Sequence, residues 1–561
     1  MNKLWQEIID RIVFFLPTEE VDEQVGSTRR LRTHPRAPYA TISSKFRFAV
    51  ERSTFENLGI SNERLVAFTR IVTPGRQRLI KELHYRGIFP PVPHGLAYCL
   101  EKPEETAVVS QLFGTYVKEL FCALRDMGDL SDVCLYLDDF AHAGENEERS
   151  HTAGGRPLKE YRYLRTRIEL LRPLTLPRLT CISRLAFSHW QRRPAPRVQI
   201  HLAERLTGLR ALDIVMDGSE ARFPGLLRDQ RVEFAEGLVH SERTRTISEA
   251  RFDMKIYPFA TDQTLPLPNL NLMHNYDVLG AALCDWSQTL TKFCVLGAFD
   301  RTLFQPYMLG IETRIEWPNL EFFDAFLEQH TPSGRWYFAP HGRPNHGSAP
   351  RNPLVDENDM PPASYFQDTR NDIIDPSTMD AEDRWNYRSR GSGRLARNVP
   401  CEDTMQPVIK AWALAQFAMP RLRRAVINFK VTVDKADDDT VDENTADEGV
   451  ADENTADGNH ETEDWEIIYE APCYEIEKWR GGLSPAALNS RRLTFHNTNG
   501  WLPRRSTLAM LELLGKESHP ESEHMWWVVN DHGLGSDRRN GTVWTNGSIH
   551  SLQSAYELLE V

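Results

Sequence analysis

The chain opens with apolar residues at helical spacing, which predict a helix over residues 4–16. One stripe, predicted to face the core, consists of Leu4, Ile8, Ile12 and Phe15. A neighbouring stripe consists of Trp5, Ile9, Val13 and Leu16. One stripe suffices to pack a helix onto its own domain. The pattern therefore predicts that something else covers the second stripe.

A second helical pattern begins at Pro38, a residue suited to a first helical position. One face of that helix carries Tyr39, Ile42, Phe46, Ala49 and Val50. The polar stretch between the two helices, residues 17–37, is predicted to be a solvated loop. Residues 1–57 are thus predicted to form a small helical domain, which is marginally stable alone and gains from a docking partner.

From residue 58 to 345 a helical pattern is repeatedly followed by a short strand-like segment, which predicts stacked strand-helix units. The strand-like segments are Leu79–Tyr85, Val133–Leu137, Ile182–Phe187, Leu209–Ile214, Leu290–Leu296 and Leu320–Phe323. Their spacing is irregular, so no strict repeat is present. An ordinary α/β domain with a parallel sheet produces the same alternation and stays open as an alternative. The absence of a nucleotide-binding fingerprint favours the open repeat.

The rest of the chain is predicted to contain an irregular linker over 346–400 and a C-terminal α+β region over 401–561. Within that region, strands are predicted at 425–433, 465–471 and 491–496. Residues 434–464 are acidic and contain Asp-Glu-Asn-Thr-Ala-Asp twice. Such a segment buries too little apolar surface to order itself, so we predict a disordered insertion at a hairpin tip.

Composition narrows the function. The length of 561 residues predicts more than one domain, and the formal net charge of -14 disfavours nucleic acid as a partner. The 8 cysteines are scattered without a Cys-x-x-Cys pair, which is typical of reduced thiols in a cytoplasmic or nuclear protein. No stretch is predicted to span a membrane, and charges at Glu7, Asp10 and Arg11 disfavour a signal peptide.

No concentrated catalytic group stands out. The chain lacks a phosphate-binding Gly-rich loop with Lys and a Gly-x-Ser-x-Gly nucleophile elbow. His519, His524 and His532 fall in one region but without the partners of a zinc site, so loop histidines are favoured. We therefore predict a binding protein with no cofactor and no metal, and rank an enzyme third among the hypotheses.

The opening helix resembles the first half of the F-box, whose pattern is Leu-Pro-x-Glu-Ile-x-x-x-Ile-Leu-x-x-Leu. The matching residues are Leu4, Trp5, Glu7, Ile8, Ile12, Val13 and Leu16. The second half is similar to residues 39–47, in which Phe46 stands for the usual tryptophan, as Trp5 stands for the usual proline. Most of the chain is similar to F-box-like proteins of filamentous fungi, which carry an irregular leucine-rich-repeat-like body and an uncharacterised C-terminal region.

The resemblance implies a multidomain α+β or α/β fold and a role in an SCF-type ubiquitin ligase. The F-box would bind a Skp-family adaptor, and through it a cullin ligase, while the body binds an unknown protein substrate. Such a receptor performs no bond chemistry. The residues implied in adaptor contact are Leu4, Trp5, Glu7, Ile8, Ile12, Val13, Leu16, Ile42 and Phe46.

Two alternatives stay open. In the first alternative, the chain is a non-catalytic repeat scaffold with no ligase role, and its first helix merely caps the body. A cap accounts for one apolar stripe but poorly for the second stripe and for Phe14. In the second alternative, the chain is an enzyme. That hypothesis requires a deep pocket with convergent His, Asp or Glu side chains.

Overall fold

A computed structural model of the chain shows two compact units. Unit 1 comprises Met1–Thr152 with Pro157–Val215, and unit 2 comprises Ala153–Arg156 with Met216–Val561. The structure describes residues 5–15, 37–93, 96, 101–143, 152–153, 156–157, 162–163, 166–188, 192–216, 224–241, 247–254, 269–271, 276–305, 315–340, 397–434, 460–472, 489–498, 501–522, 525–531 and 541–546.

Unit 1 begins with helices. Helix α1 spans Gln6–Phe15, a 3-10 helix spans Ala37–Thr41, and helix α2 spans Ser44–Phe55. The predicted helix from Pro38 is therefore divided into a 3-10 turn and α2. The division is fixed by Ser43, whose Oγ accepts a hydrogen bond from the Phe46 amide at 3.3 Å and caps α2.

The remainder of unit 1 is a parallel sheet with helices. The strands are β1 Asn57–Ser61, β2 Glu82–Phe89, β3 Val133–His142, β4 Ile182–Phe187 and β5 Ala211–Val215. The helices are α3 Leu65–Ile71, α4 Pro74–Gln77, α5 Pro103–Asp126 and α6 Pro196–Ala203. Each strand pairs in parallel with the strand that precedes it in the chain.

Alternation along the strands divides this sheet into an apolar face and a polar face. On β2, Leu83, Tyr85 and Phe89 are buried, whereas Glu82 and His84 point the other way and are only partly buried. Helix α5 packs on the apolar face. The Phe113 ring meets Phe140 of β3 edge to face at 4.9 Å, and the Tyr85 hydroxyl donates to the Tyr116 carbonyl at 3.2 Å.

Helix α5 also corrects one expectation. Its 24 residues are long and apolar enough to cross a membrane, although no such stretch is expected from the sequence. One face of the helix is buried inside unit 1; its residues are Val109, Phe113, Val117, Leu120 and Leu124. The core helix of a folded domain can have the same length and composition as a membrane span, and α5 packs on the sheet as a core helix does.

Unit 2 contains a mixed sheet. Its strands are β6 Glu249–Met254, β7 Lys292–Gly297, β8 Phe322–Leu327, β11 Arg424–Asp434, β12 His460–Glu470, β13 Arg491–His496, β14 Met525–Asp531 and β15 Gly541–Asn546. Strands β6, β7, β8 and β11 pair in parallel in that order. From β11 onward the pairing is antiparallel except between β13 and β14.

Unit 2 also contains a short antiparallel pair, four α-helices in the described residues and two 3-10 helices, Ser287–Thr289 and Arg301–Leu303. The pair consists of β9 Phe338–Pro340 and β10 Arg397–Pro400. The helices are α7 Pro224–His240, α8 Val278–Trp286, α9 Glu402–Gln416 and α10 Arg505–Glu512. The mixed α/β class with large, mostly parallel pairing is confirmed.

Most predicted strands occur within a few residues of their expected positions. The predicted hairpin is also present, since Asp434 of β11 pairs with His460 of β12. The acidic insertion between them, most of the predicted linker 346–400 and the predicted loop 17–37 lie outside the described residues. The domain boundaries predicted at 57, 345 and 400 stay predictions.

Candidate functional site

The first helix buries only one of its two apolar stripes. Ile9 and Val13 are buried in a cluster with Phe46, Ala49 and Val50 of α2. This is the reverse of the expectation for Ile8, Ile12 and Phe15, which were predicted to face the core and are exposed instead. The second predicted stripe is therefore the one that packs within the domain.

Polar contacts account for this rotation of α1. The Gln6 side-chain amide donates to the Lys45 carbonyl at 3.2 Å and to Asp10 at 2.8 Å. Asp10 also lies 3.4 Å from the Arg52 guanidinium of α2. Residues 6 and 10 stand on one side of the helix, next to 9 and 13. Because both polar residues reach toward α2, the stripe of Ile9 and Val13 turns inward.

Outside the stripe of Ile9 and Val13, α1 and the residue before it expose a group of large apolar side chains, interrupted by the exposed charges of Glu7 and Arg11. We call this the α1 apolar surface. Its members and their exposed fractions are Trp5 75%, Phe14 72%, Phe15 71%, Ile8 47% and Ile12 40%. Single exposed apolar residues are common on proteins, but several on one short helix mark an interaction site or an aggregation hazard. Ile42, beside α2, is exposed as well.

The structure divides the predicted adaptor contacts into three groups. Trp5, Glu7, Ile8, Ile12 and Ile42 are exposed. Val13 and Phe46 lie in the buried cluster between α1 and α2. Leu4 and Leu16 lie outside the described residues. Phe14 and Phe15 also belong to the exposed surface, although they were absent from the predicted contacts. The contacts of Gln6 with Lys45 and of Asp10 with Arg52 decide which side of α1 faces α2, and the sequence alone does not show them.

A second candidate surface lies on the polar face of the unit 1 sheet. His84 of β2 and Tyr136 of β3 are register partners, and their rings stack 4.4 Å apart with 5° between the planes. His84 Nδ1 lies 3.1 Å from Asp138 Oδ2, so Nδ1 donates to that carboxylate. His84 Nε2 lies 3.9 Å from Glu82 Oε2 and has no hydrogen-bond partner.

The charged side chains near this ring pair differ in their partners. Arg184 of β4 pairs with Asp213 of β5 at 2.8 Å, which neutralises both. Glu82 accepts a hydrogen bond from the Asn57 side chain at 2.7 Å. Among the described residues, neither Glu82 nor Asp138 is paired with a lysine or arginine. The face therefore carries two carboxylates that flank the His84–Tyr136 ring pair.

Unit 2 holds a buried polar cluster at the ends of β7 and β8. Arg231 of α7 pairs with Asp277 at 2.8 Å and donates to the Ala298 carbonyl at 3.1 Å. Burial raises the pKa of Asp277 although Arg231 favours its charged form. Burial also lowers the pKa of His330 to about 4. The adjoining cavity has a volume of about 20 Å³, room for about one water molecule.

These groups define what each place can do chemically. The cavity beside Arg231 is too small for an organic substrate, and the ion pair ties α7 to the residue before α8. No group of three His, Cys, Asp or Glu side chains in the described part of the chain is arranged to hold a metal. The α1 apolar surface and the polar face of unit 1 offer contact area for a partner.

No protein family, no curated protein and no solved structure matches this chain.

Proposed function

We propose that the chain is a substrate-recognition adaptor of an SCF-type ubiquitin ligase. In this proposal α1 and α2 form an F-box-like domain that binds a Skp-family adaptor, and the body binds a protein substrate. The observation that carries it is the α1 apolar surface, because α1 already packs on α2 through Ile9 and Val13, yet the helix and the adjoining Trp5 still expose five large apolar side chains.

The size and chemistry of that surface support a stable protein partner. Aromatic residues are enriched at the centres of protein interfaces, and Trp5, Phe14 and Phe15 are more than two-thirds exposed. Ile8 and Ile12 lie one turn apart and continue the surface along the helix. Glu7 stands among these residues as the polar edge of the contact.

The arrangement of the unit 1 sheet supports a leucine-rich-repeat-like body. Each parallel strand lies beside its predecessor in the chain, as stacked strand-helix units require. Parallel sheets of ordinary α/β domains are covered on both faces. Here the polar face keeps Glu82, Asp138 and Arg184 more than one-third exposed, as on the binding surface of an open repeat.

An adaptor of this kind acts by position. Binding the ligase through one domain and the substrate through another raises the effective concentration of a substrate lysine near the activated ubiquitin. The protein itself needs no nucleophile, general base, metal or cofactor. The proposal places it in the cytoplasm or the nucleus, where that machinery operates.

Co-purification of the full-length protein with a recombinant Skp-family adaptor tests the proposal. The wild-type protein is expected to retain the adaptor, and Ile12→Asp is expected to lose it, because a charge in an apolar interface is strongly unfavourable. Val66→Asp is the matched control, since Val66 is an exposed apolar residue on α3 of the same unit. Both side chains are exposed, so both variants should melt with the wild type.

The outcomes separate the hypotheses. Loss of the adaptor with Ile12→Asp and its retention with Val66→Asp would support a ligase role through the α1 apolar surface. A wild-type protein that does not bind the adaptor would contradict the proposal and leave the non-catalytic scaffold as the better description. Equal loss in both variants would mean that the binding does not run through α1.

A further inference from the structure

We propose that residues 171–178 of unit 1 form an additional docking site, which binds an acidic segment of a partner protein that also carries apolar side chains. Their sequence is Leu-Arg-Pro-Leu-Thr-Leu-Pro-Arg, and we call them the arginine-leucine loop. The inference goes beyond the proposed ligase role and does not depend on it.

The loop exposes apolar side chains that the rest of unit 1 leaves uncovered. Leu174 is 83% exposed and Leu171 is 59% exposed, and no other large apolar side chain in the described residues is as exposed as Leu174. Leu176 is buried and anchors the loop. Single exposed leucines are common on proteins, so the meaning of this pair depends on how the loop is held and on the charges beside it.

Hydrogen bonds to the backbone hold the loop in one shape. Pro173 begins a 3-10 helix that ends at Thr175. Arg205, just after α6, donates to the Pro173 carbonyl at 2.9 Å and to the Leu174 carbonyl. The Arg205 carbonyl in turn accepts a hydrogen bond at 2.9 Å from the amide of Leu179, the residue that follows the loop. A loop that is already ordered loses little conformational entropy when it binds a partner.

Two exposed arginines, Arg172 and Arg178, stand near the ends of the loop. Residues 162–210 contain 11 arginines but only 2 acidic residues, Glu169 and Glu204. Several of the other arginines pair with a carboxylate, namely Arg162, Arg184, Arg192, Arg197 and Arg210. Neither Arg172 nor Arg178 does so in the described part of the chain. The two guanidinium groups beside the exposed leucines are thus available to carboxylates of a partner.

These features fit a protein segment better than a membrane or a nucleic acid. Arginine binds carboxylates through paired hydrogen bonds, and the two leucines call for apolar side chains near those carboxylates. A membrane or a nucleic-acid duplex is a large anionic surface, so it also meets the rest of a chain whose formal charge is -14. A short acidic segment contacts the loop without approaching most of that negative charge.

Fluorescence anisotropy with the full-length protein tests the loop. The probe is a fluorescein-labelled Gly/Ser peptide with two glutamates on each side of a leucine pair, and the comparison peptide has glutamine in place of glutamate. The wild type is expected to bind the glutamate peptide more tightly, against the sign of its own net charge. Arg172→Gln/Arg178→Gln is expected to bind that peptide about fivefold more weakly. Leu174→Ser is also expected to weaken binding, and the thermal melts of both variants should match the wild type.

A matched control separates this loop from a general effect of positive charge. Arg64→Gln/Arg70→Gln removes two exposed arginines of the same unit, one just before α3 and one on it, and should leave the affinity unchanged. The inference is overturned if the wild type binds neither peptide or binds both equally.

An equal loss of affinity in the Arg172/Arg178 and Arg64/Arg70 variants overturns the inference as well. Phosphatidylserine vesicles and a DNA duplex test the other occupants. Binding of either one that is lost with Arg172→Gln/Arg178→Gln would overturn the choice of a protein segment. None of these measurements requires the Skp-family adaptor, so their outcome is independent of the co-purification test.

Discussion

His84 stacks on Tyr136 across β2 and β3 with ring planes 5° apart, on the face of the sheet that α5 does not cover. Cross-strand aromatic pairs contribute to sheet stability beyond the area that they bury. Here the pair is also fixed by the hydrogen bond from His84 to Asp138. The same contact thus stabilises the register of two strands and holds the Asp138 carboxylate in place.

We expect Tyr136→Ala to weaken the fold through loss of this stacking, with a coupling to His84→Ala of about 0.5–1.5 kcal/mol. A double-mutant cycle in urea unfolding measures the coupling. Tyr136→Phe is the control, since it keeps the ring and should keep most of the coupling. Additive effects of Tyr136→Ala and His84→Ala would show that the stacked geometry carries no stability of its own.

The two stripes of α1 make opposite predictions. Ile9→Ala is expected to destabilise the packing of α1 on α2 by about 2–5 kcal/mol, because it leaves a cavity in a small cluster of five buried residues. Ile8→Ala should change stability by less than about 0.5 kcal/mol, because Ile8 is exposed. Hydrogen exchange of the α2 amides reports both effects. Equal protection in the two variants would contradict the rotation of α1 described here.

That rotation shows where sequence reasoning ends. Both stripes of α1 are apolar and regularly spaced, so periodicity predicts the helix but cannot choose its buried side. The choice depends on contacts of Gln6 with Lys45 and of Asp10 with Arg52, which are remote in sequence. The same limit applies to His84 and Tyr136, since alternation predicts that each faces outward but only the register of β2 with β3 brings their rings together.

Strands were predictable where apolar and β-favouring residues are concentrated in a short segment. Ile182–Phe187 and Arg491–His496 occur as predicted, because each places several such residues within six positions. Several strands were missed, among them β1 and β6. Asn57–Ser61 is short and contains a glycine, and Glu249–Met254 carries charged residues at three of its positions. Both are specified by pairing with a neighbouring strand more than by their own composition.

The buried ion pair of unit 2 predicts a large asymmetry between single and double variants. Arg231→Met leaves the Asp277 carboxylate buried without its cation and is expected to cost about 3–5 kcal/mol. Adding Asp277→Asn removes the stranded charge and keeps an oxygen at the position before α8, so the double variant should recover part of the loss. Thermal unfolding of the wild type, of Arg231→Met and of the double variant checks this. A melting temperature of Arg231→Met equal to that of the wild type would contradict a structural role.

His330 predicts a specific dependence of stability on pH. Burial lowers its pKa to about 4 in the folded chain, against an ordinary value near 6.5. Between these values the unfolded chain binds a proton that the folded chain does not. Stability contributed by neutral His330 is therefore present above about pH 6.5 and declines as the pH falls toward about 4, by up to about 3 kcal/mol.

His330→Gln is expected to remove this part of the pH dependence, since glutamine does not titrate. Unfolding in urea at pH 7 and at pH 4.5 measures it for both proteins. The wild type should lose more stability than the variant on acidification, because carboxylates elsewhere titrate alike in both and cancel in the difference. His201→Gln is the control, as His201 is only half-buried and its pKa is lowered less strongly. An identical acid loss in the wild type and His330→Gln would mean that His330 is protonated in the folded chain.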